Sequence, residues 1–183
     1  MASQRPMRIE GTGYDSELVL TFSYDAAFQL AVFVFSGTTN DDDDFQAYCD
    51  AIRSLAVKLA VFAAGSTALP CAVLVVDPGN PIPDARWRKE IAEASGTLRP
   101  PMLLAVVSEA SLVRGAITAI NWLRPPPFEI ATHSSFMRAL AWLEGRRGTK
   151  LPQLTALLEE ARRQVVSGRP LASSKKIPSA ASR

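Results

Sequence analysis

The chain has few residues of the kinds that usually carry chemistry: one histidine and two cysteines among 183 residues. A membrane-spanning helix needs about 18 consecutive apolar residues, and no run here is that long. The first residues, MASQRPMRIEG, lack the apolar core of a secretory signal. Cys49 and Cys71 lie in a predicted helix and strand without CxxC spacing, so we predict small buried hydrophobes. A reducing, cytoplasmic location is the expectation.

This scarcity also limits catalysis. His133 has no second histidine or reactive cysteine to join it, so neither a metal site nor a nucleophile–base pair can be assembled from obvious members. The glycines at residues 11–13 precede the first predicted strand instead of following one, and residues 145–150 follow a helix and lack Walker spacing. We therefore expect no enzyme activity, no cofactor and no metal.

Four consecutive aspartates at residues 41–44 suggest a metal site at first sight. Consecutive carboxylates on a helix point in different directions, however, and the spacing of a calcium-binding loop is missing. Asn40 or Asp41 as a helix N-cap, with further negative charge favoured by the helix dipole, explains the run without a metal.

Charge divides the chain. Residues 1–145 carry 11 Lys and Arg against 16 Asp and Glu, whereas residues 146–183 carry 9 against 2. We predict a flexible leader over residues 1–16, an α/β domain over 17–145, a basic linker with a C-terminal helix over 146–167, and a disordered basic tail over 168–183.

Hydrophobic patterning predicts the fold. Residues 18–24 alternate as a half-buried strand does, and residues 28–36 are apolar on both faces, so the two form an antiparallel hairpin with the second strand central. Further strands are predicted at residues 71–76, 102–107 and 128–131, and helices at 42–64, 83–95, 111–123, 134–145 and 151–166. We predict an α/β fold with a mostly parallel five-stranded sheet, in the order β-β-α-β-α-β-α-β-α, and an extra C-terminal helix.

The helix at residues 111–123 has two predicted faces. We expect an inward face made of Leu112, Ala116, Ile117, Ala119, Ile120 and Leu123. The opposite face carries Arg114, Thr118 and Asn121, with Gly115 and Trp122 at its margin. The last helix also has an apolar stripe, which either the domain or another chain must cover.

The order of elements carries a resemblance. A hairpin, then FSGTTNDDDDFQAYCDAI, then an apolar strand ending in Asp77, resembles the STAS superfamily, the sulfate-transporter and anti-sigma-factor-antagonist domains. More narrowly, the chain is similar to bacterial stand-alone STAS-like proteins, and SEASLVRGAITAINWLRPPPFEIATHSSFMRALAWLEG matches their last two strand–helix units. The resemblance covers about residues 17–145 and rests on element order, on Gly37 and on Trp142-Leu143.

The resemblance implies regulation by protein–protein contact. In the phosphoswitch members of the family, a serine or threonine begins the helix after the third strand. Here that position falls in residues 77–80, and no serine or threonine occurs between Ala72 and Glu93. We therefore expect no phosphoswitch.

Three functions remain open from the sequence. The first is a regulator or adaptor that binds another protein through Arg114, Thr118, Asn121 and Trp122, because Trp and Arg often anchor interfaces. The second is a module for a small apolar or anionic ligand at the carboxyl edge of the sheet, lined by Gly37, Thr38, Asp77, Asn80 and Arg86. The third is a tether to nucleic acid or an anionic membrane through the basic tail. A homo-oligomer is a further alternative.

Overall fold

The structure, a computed structural model, describes residues 7–10, 19–36, 42–62, 68–98, 101–123 and 125–167. These residues form one six-stranded sheet with helices on both faces. In chain order the elements are β1 (Met7–Glu10), β2 (Val19–Asp25), β3 (Leu30–Ser36), α1 (Asp42–Phe62), β4 (Cys71–Val76), α2 (Ala85–Ser95), β5 (Leu103–Val107), α3 (Ser111–Leu123), β6 (Glu129–His133), α4 (Phe136–Arg147) and α5 (Pro152–Ser167).

The strands lie in the sheet in the same order as in the chain. β2 pairs antiparallel with both β1 and β3, while β3, β4, β5 and β6 are mutually parallel. The α/β fold and the mostly parallel sheet are thus confirmed, with the first predicted strand (β2) as the reversed one. Because each parallel crossover moves one strand in the same direction and crossovers are right-handed, α1, α2 and α3 must share one face.

The first face of the sheet is packed against α1, α2 and α3. Alternate side chains of β3, including Phe33 and Phe35, join Leu74 of β4 in this layer of the core. The helices contribute Leu55 and Leu59 from α1, Trp87 and Ile91 from α2, and Ile120 from α3. The other set of alternating side chains points to the opposite face, so β3 and β4 are buried on both sides.

The second face is covered by α4 and α5. Val32 and Val73 belong to the same buried cluster as Leu143 of α4 and Leu154 of α5, and all four are fully buried. α5 packs across β2 and β3. The apolar stripe of the last helix is therefore covered by the domain itself.

Residues 7–10 differ from the prediction of a flexible leader. The strand β1 extends the sheet beside β2, with Met7 opposite Phe22 and Glu10 opposite Val19. A four-residue edge strand is too short to show a periodicity of its own, which is why the pattern alone predicts five strands instead of six.

Several boundaries also differ from the prediction by about two residues, and the structure explains two of them. The hairpin turn occupies residues 26–29, so β3 begins two residues later than expected; Asp25 Oδ1 accepts hydrogen bonds from the N–H groups of Ala27 (2.9 Å) and Phe28 (3.2 Å). α4 continues through Gly145 and ends at Gly148, which adopts the left-handed conformation (φ 74°) and donates its N–H to the Glu144 carbonyl at 2.8 Å. Glycine caps a helix in this way because it has no Cβ.

A substitution in α5 tests whether the helix belongs to the domain core. Leu154→Ala should lower the free energy of unfolding by about 2–5 kcal/mol, because it leaves a cavity between α5 and the sheet. Urea unfolding followed by circular dichroism measures the change. The exposed neighbour Thr155 provides the control, since Thr155→Ala should change stability by no more than about 0.5 kcal/mol. Equal small effects at both positions would contradict this packing.

Candidate interaction surface and carboxyl edge of the sheet

The rotation of α3 about its axis is different from the predicted one. Its buried residues are Val113, Ala116 and Ile120. Leu112 and Leu123, expected in the core, are 72% and 60% exposed. The prediction was wrong because apolar residues occupy more than half of the helix circumference, so the sequence pattern allows more than one inward face.

The neighbouring helix α2 decides which side of α3 is covered. Ile117 and Asn121 of α3 line a small cavity together with Ala92 and Ser95 of α2, so this side of α3 faces α2. By the 100° step per residue, the opposite side of α3 faces away from α2. It carries Leu112, Gly115, Ala119, Trp122 and Leu123, and these five residues are called the α3 flank below.

The four residues predicted to bind a partner have different surroundings. Arg114 Nη1 donates to the carbonyls of Ser108 and Glu109, both at 2.9 Å, so this side chain holds the turn before α3. Thr118 Oγ1 donates to the Arg114 carbonyl within the helix at 3.1 Å.

Asn121 is half-buried beside α2, whereas Trp122 is 82% exposed. Of the four predicted residues, Thr118 and Trp122 are exposed, and Trp122 is the large apolar one. The sequence analysis missed its exposed neighbours Leu112 and Leu123. The excess width of the apolar arc on α3 is the signal that could have revealed them.

The described residues predicted at the carboxyl edge of the sheet make hydrogen bonds within the fold. Asp77 accepts from both terminal nitrogens of Arg162 in α5, with the Nη2–Oδ1 distance at 2.7 Å. Asn80 is buried and donates its Nδ2 to the carbonyls of Phe35 (2.9 Å) and Asp77 (3.0 Å), which fixes the loop after β4. Gly37 and Thr38 lie outside the described residues.

Arg86, expected to offer positive charge to an anion, is paired within the fold. Its Nη1 lies 2.8 Å from Asp42 Oδ2, and its guanidinium lies over the Trp87 ring, 4.8 Å from the centroid. Asp42 also accepts from Trp87 Nε1 at 2.7 Å. These two hydrogen bonds lower the pKa of Asp42, and they join the starts of α1 and α2.

The sheet topology weakens the case for an anion site at this edge. Ligands in open α/β sheets favour the crevice where the strand order reverses. Within the described sheet the parallel crossovers all advance in one direction, so the order from β3 to β6 contains no reversal. These side chains instead make contacts within the fold: Asp77 binds α5, Asn80 holds its own loop, and Arg86 binds the start of α1.

An apolar cavity nevertheless opens near the carboxyl ends of β3 and β4. It has a volume of about 60 Å³ and lies between α1, α3 and the segment that precedes α2. The lining side chains are apolar apart from the Tyr48 hydroxyl: Phe35, Phe45, Tyr48, Leu74, Val76, Pro81, Ile82, Pro83, Ile91, Val113, Ala116, Ile117 and Ile120.

The basic residues of the C-terminal segment are paired within the domain wherever the structure describes them. Arg146 lies 2.5 Å from Glu129, Lys150 lies 2.7 Å from Glu144, and Arg163 lies 2.5 Å from Glu160. Arg147 donates to the Phe28 carbonyl at 2.8 Å, and Arg162 binds Asp77. The predicted tail over residues 168–183 lies outside the described residues, so the tether stays a prediction.

Both cysteines are buried and free of disulfides. Burial raises the pKa of Cys49 to about 11 and raises that of Cys71, which keeps both as thiols. Across the described part of the chain, no group of three or more His, Cys, Asp or Glu side chains is arranged to hold a metal ion.

His133 ends β6, two residues before the N-cap of α4, and is not itself part of that helix entry. Its ring lies against Trp142 of α4, with the centroids 5.6 Å apart, and its buried Nε2 has no hydrogen-bond partner. Desolvation lowers the pKa of His133 below its ordinary value of 6.5, and the charge of Arg138 adds to this effect.

This environment predicts a pH dependence of stability. Because the pKa of His133 is lower in the folded chain, the unfolded chain binds more protons just below pH 6.5, and stability must fall on acidification through that window. His133 is the one histidine of the chain. We expect His133→Gln to flatten the decline in free energy of unfolding between about pH 7.5 and 5.5, as measured by urea unfolding.

Glu144 supplies the matched control for that experiment. Hydrogen bonds from Lys150 and the Leu151 N–H lower its pKa from 4.5, so its contribution is lost at a lower pH than that of His133. Glu144→Gln should leave the decline near pH 6.5 intact. An unchanged decline in His133→Gln would show that His133 is not responsible.

None of the described helices combines the length and the apolar character needed to cross a membrane. Comparison of the chain with protein-family models, with curated proteins and with solved structures returned no match.

Proposed function

We propose that this chain is a non-enzymatic regulator or adaptor, which acts by protein–protein contact through the α3 flank. One observation carries the proposal: Trp122 is 82% exposed and is flanked on the same side of α3 by Leu112 and Leu123, both well exposed. Contiguous apolar surface of this kind marks interaction sites in proteins with ordinary composition. Tryptophan is also among the residues that contribute most to binding energy at interfaces.

The surface differs from the one expected from the sequence. Arg114 and Thr118 contribute mainly to the helix and its preceding turn, so we assign the contact to Trp122 and its apolar neighbours. This matters for testing, because Arg114→Glu would remove hydrogen bonds to Ser108 and Glu109 and would perturb the fold together with the surface.

A STAS-like domain remains the proposed class. The supporting features are the antiparallel start of the sheet and the three β-α units that follow it in sequential order. The family's phosphorylation position corresponds to residues 77–80, where Asp77 is bound to Arg162 and Asn80 is buried. A regulator of this type would therefore be controlled by association and not by phosphorylation of that loop.

The α3 flank can be tested by a double substitution. The double variant Leu112→Ala/Trp122→Ala should keep the fold intact, because both side chains are exposed. It should no longer bind the protein partner of the wild type. Capture from native lysate followed by mass spectrometry compares the variant with the wild type. Val57, 66% exposed on α1, gives the matched control Val57→Ala. The same captured proteins in all three samples would contradict the proposal.

The apolar cavity favours a second candidate function, the binding of a small apolar ligand at the carboxyl edge. Phe35, Val113 and Ile117 line a space that opens to solvent and offers almost no polar groups. A volume of about 60 Å³ suits the end of an alkyl chain. An anionic ligand fits less well, because the nearby Arg86 is paired with Asp42.

Filling the cavity tests this candidate. Ala116 lines it and is 8% exposed, so Ala116→Leu should occupy the space. Hexanol should raise the melting temperature of the wild type by binding the folded state, and should raise that of Ala116→Leu less. Val57→Leu, at an exposed position of α1 that does not line the cavity, is the control. Identical responses of the three proteins would rule out this cavity as the binding site.

A further inference from the structure

The α3 flank lies on the open side of the helix layer. α3 packs against α2 on one side, and the flank is on the other. The sheet ends at the same side, because β6 is its last strand and, among the described residues, pairs with β5 alone. An exposed apolar helix face and the outer edge of a strand are thus presented together.

The spacing of the flank residues is symmetric. Large side chains at Leu112 and Trp122 enclose the small residues Gly115 and Ala119, with steps of three, four and three residues. An antiparallel copy of the helix would place Leu112 opposite the partner's Trp122, and Gly115 opposite the partner's Ala119. A surface that matches itself after a two-fold rotation is the requirement for an isologous dimer.

Gly115 has no evident role within the single chain. A Cβ at this position would meet nothing within 4 Å, and its backbone is helical, so neither crowding nor an unusual conformation calls for glycine. Glycine inside a helix is less stable than alanine. A close approach by a second helix at this point would explain the small side chain.

The charges also favour an antiparallel copy. Arg114 is the one charged residue in the sequence of α3, so two copies of the helix bring few like charges together. Arg114 itself is held by the carbonyls of Ser108 and Glu109 and lies outside the flank. In the antiparallel arrangement the two helix dipoles oppose each other, which is the favourable alignment.

The available area is near what a specific dimer needs. Leu112, Trp122 and Leu123 are 72%, 82% and 60% exposed. A tryptophan side chain buries about 150–250 Å², so the two Trp122 side chains would account for roughly 300–500 Å² in total, and Leu112 and Leu123 of both copies add to this area. A specific interface needs roughly 1,000 Å², and contacts along β6 can supply the remainder.

From these observations we propose that the α3 flank is a homodimer interface, in which α3 packs antiparallel against α3 of a second copy of this chain. This inference rests on the proposed function in one respect: it uses the same surface, the α3 flank. It names a second copy of the chain as the partner that binds there. Self-association is measured on the purified chain alone, so its failure would leave binding of another protein open, and failure of the lysate capture would leave the dimer open.

Sedimentation equilibrium of the purified full chain tests the dimer. We expect a species of twice the 19.8 kDa chain mass at micromolar concentrations. Ala119→Glu should weaken self-association on the order of 100-fold, because two unpaired carboxylates would be buried at the two-fold axis. Val57→Glu places the same charge at an exposed position on α1 and should have no effect. Circular dichroism verifies that both variants fold.

Three outcomes would overturn the dimer: a monomer at every concentration, a dimer as strong in Ala119→Glu as in the wild type, or an equal loss in Val57→Glu.

Disulfide trapping tests the antiparallel arrangement independently. A Gly115→Cys chain mixed with an Ala119→Cys chain should form a cross-linked heterodimer under mild oxidation, in preference to either homodimer. The native Cys49 and Cys71 are each 1% exposed and should stay unreacted. Cross-links confined to like variants would indicate a parallel arrangement, and no cross-link would place the interface elsewhere; either result would refute the proposal.

Discussion

Burial of β3 and β4 on both faces is the constraint on which the rest of the structure depends. Leu30, Val32 and Val34 on one face and Phe33 and Phe35 on the other leave no side of β3 that water can cover. Two layers of helices are therefore required, and the chain needs α5 as well as α4 to complete the second layer. This requirement explains why α5, which belongs to the basic C-terminal segment, packs against the sheet.

The elements of the fold were predictable where burial produces a clear hydrophobic pattern in the sequence. β4 and α3 have the residue limits expected for them, because an apolar run bounded by loop residues and a stretch of helical periodicity are both strong signals. β1 was missed because a strand of four residues is too short to show a periodicity. The end of α4 was misplaced because Gly145 and Gly148 both qualify as caps, and only the left-handed conformation at Gly148 distinguishes them.

The candidate surface was harder to predict, because it depends on which neighbour each helix acquires. Trp122 was expected at the surface, but Leu112 and Leu123 were assigned to the core. The sequence pattern predicts that Arg114 faces solvent. In the structure its guanidinium instead donates to the carbonyls of Ser108 and Glu109 in the preceding turn. The ion pairs of Arg86 with Asp42 and of Arg162 with Asp77 join residues 44 and 85 positions apart, and no local pattern specifies such pairs.

The topology explains why an apolar flank is exposed on α3. In a sheet whose order follows the chain, each new β-α unit places its helix beside the previous one and covers that helix's outer side. A further helix on the first face would cover α3 in the same way. After β6, however, the chain crosses to the second face, where α4 and α5 are needed to bury β3, β4 and β5. Among the residues that the structure describes, no helix covers the exposed flank of α3, and in our proposal α3 of a second copy takes that position.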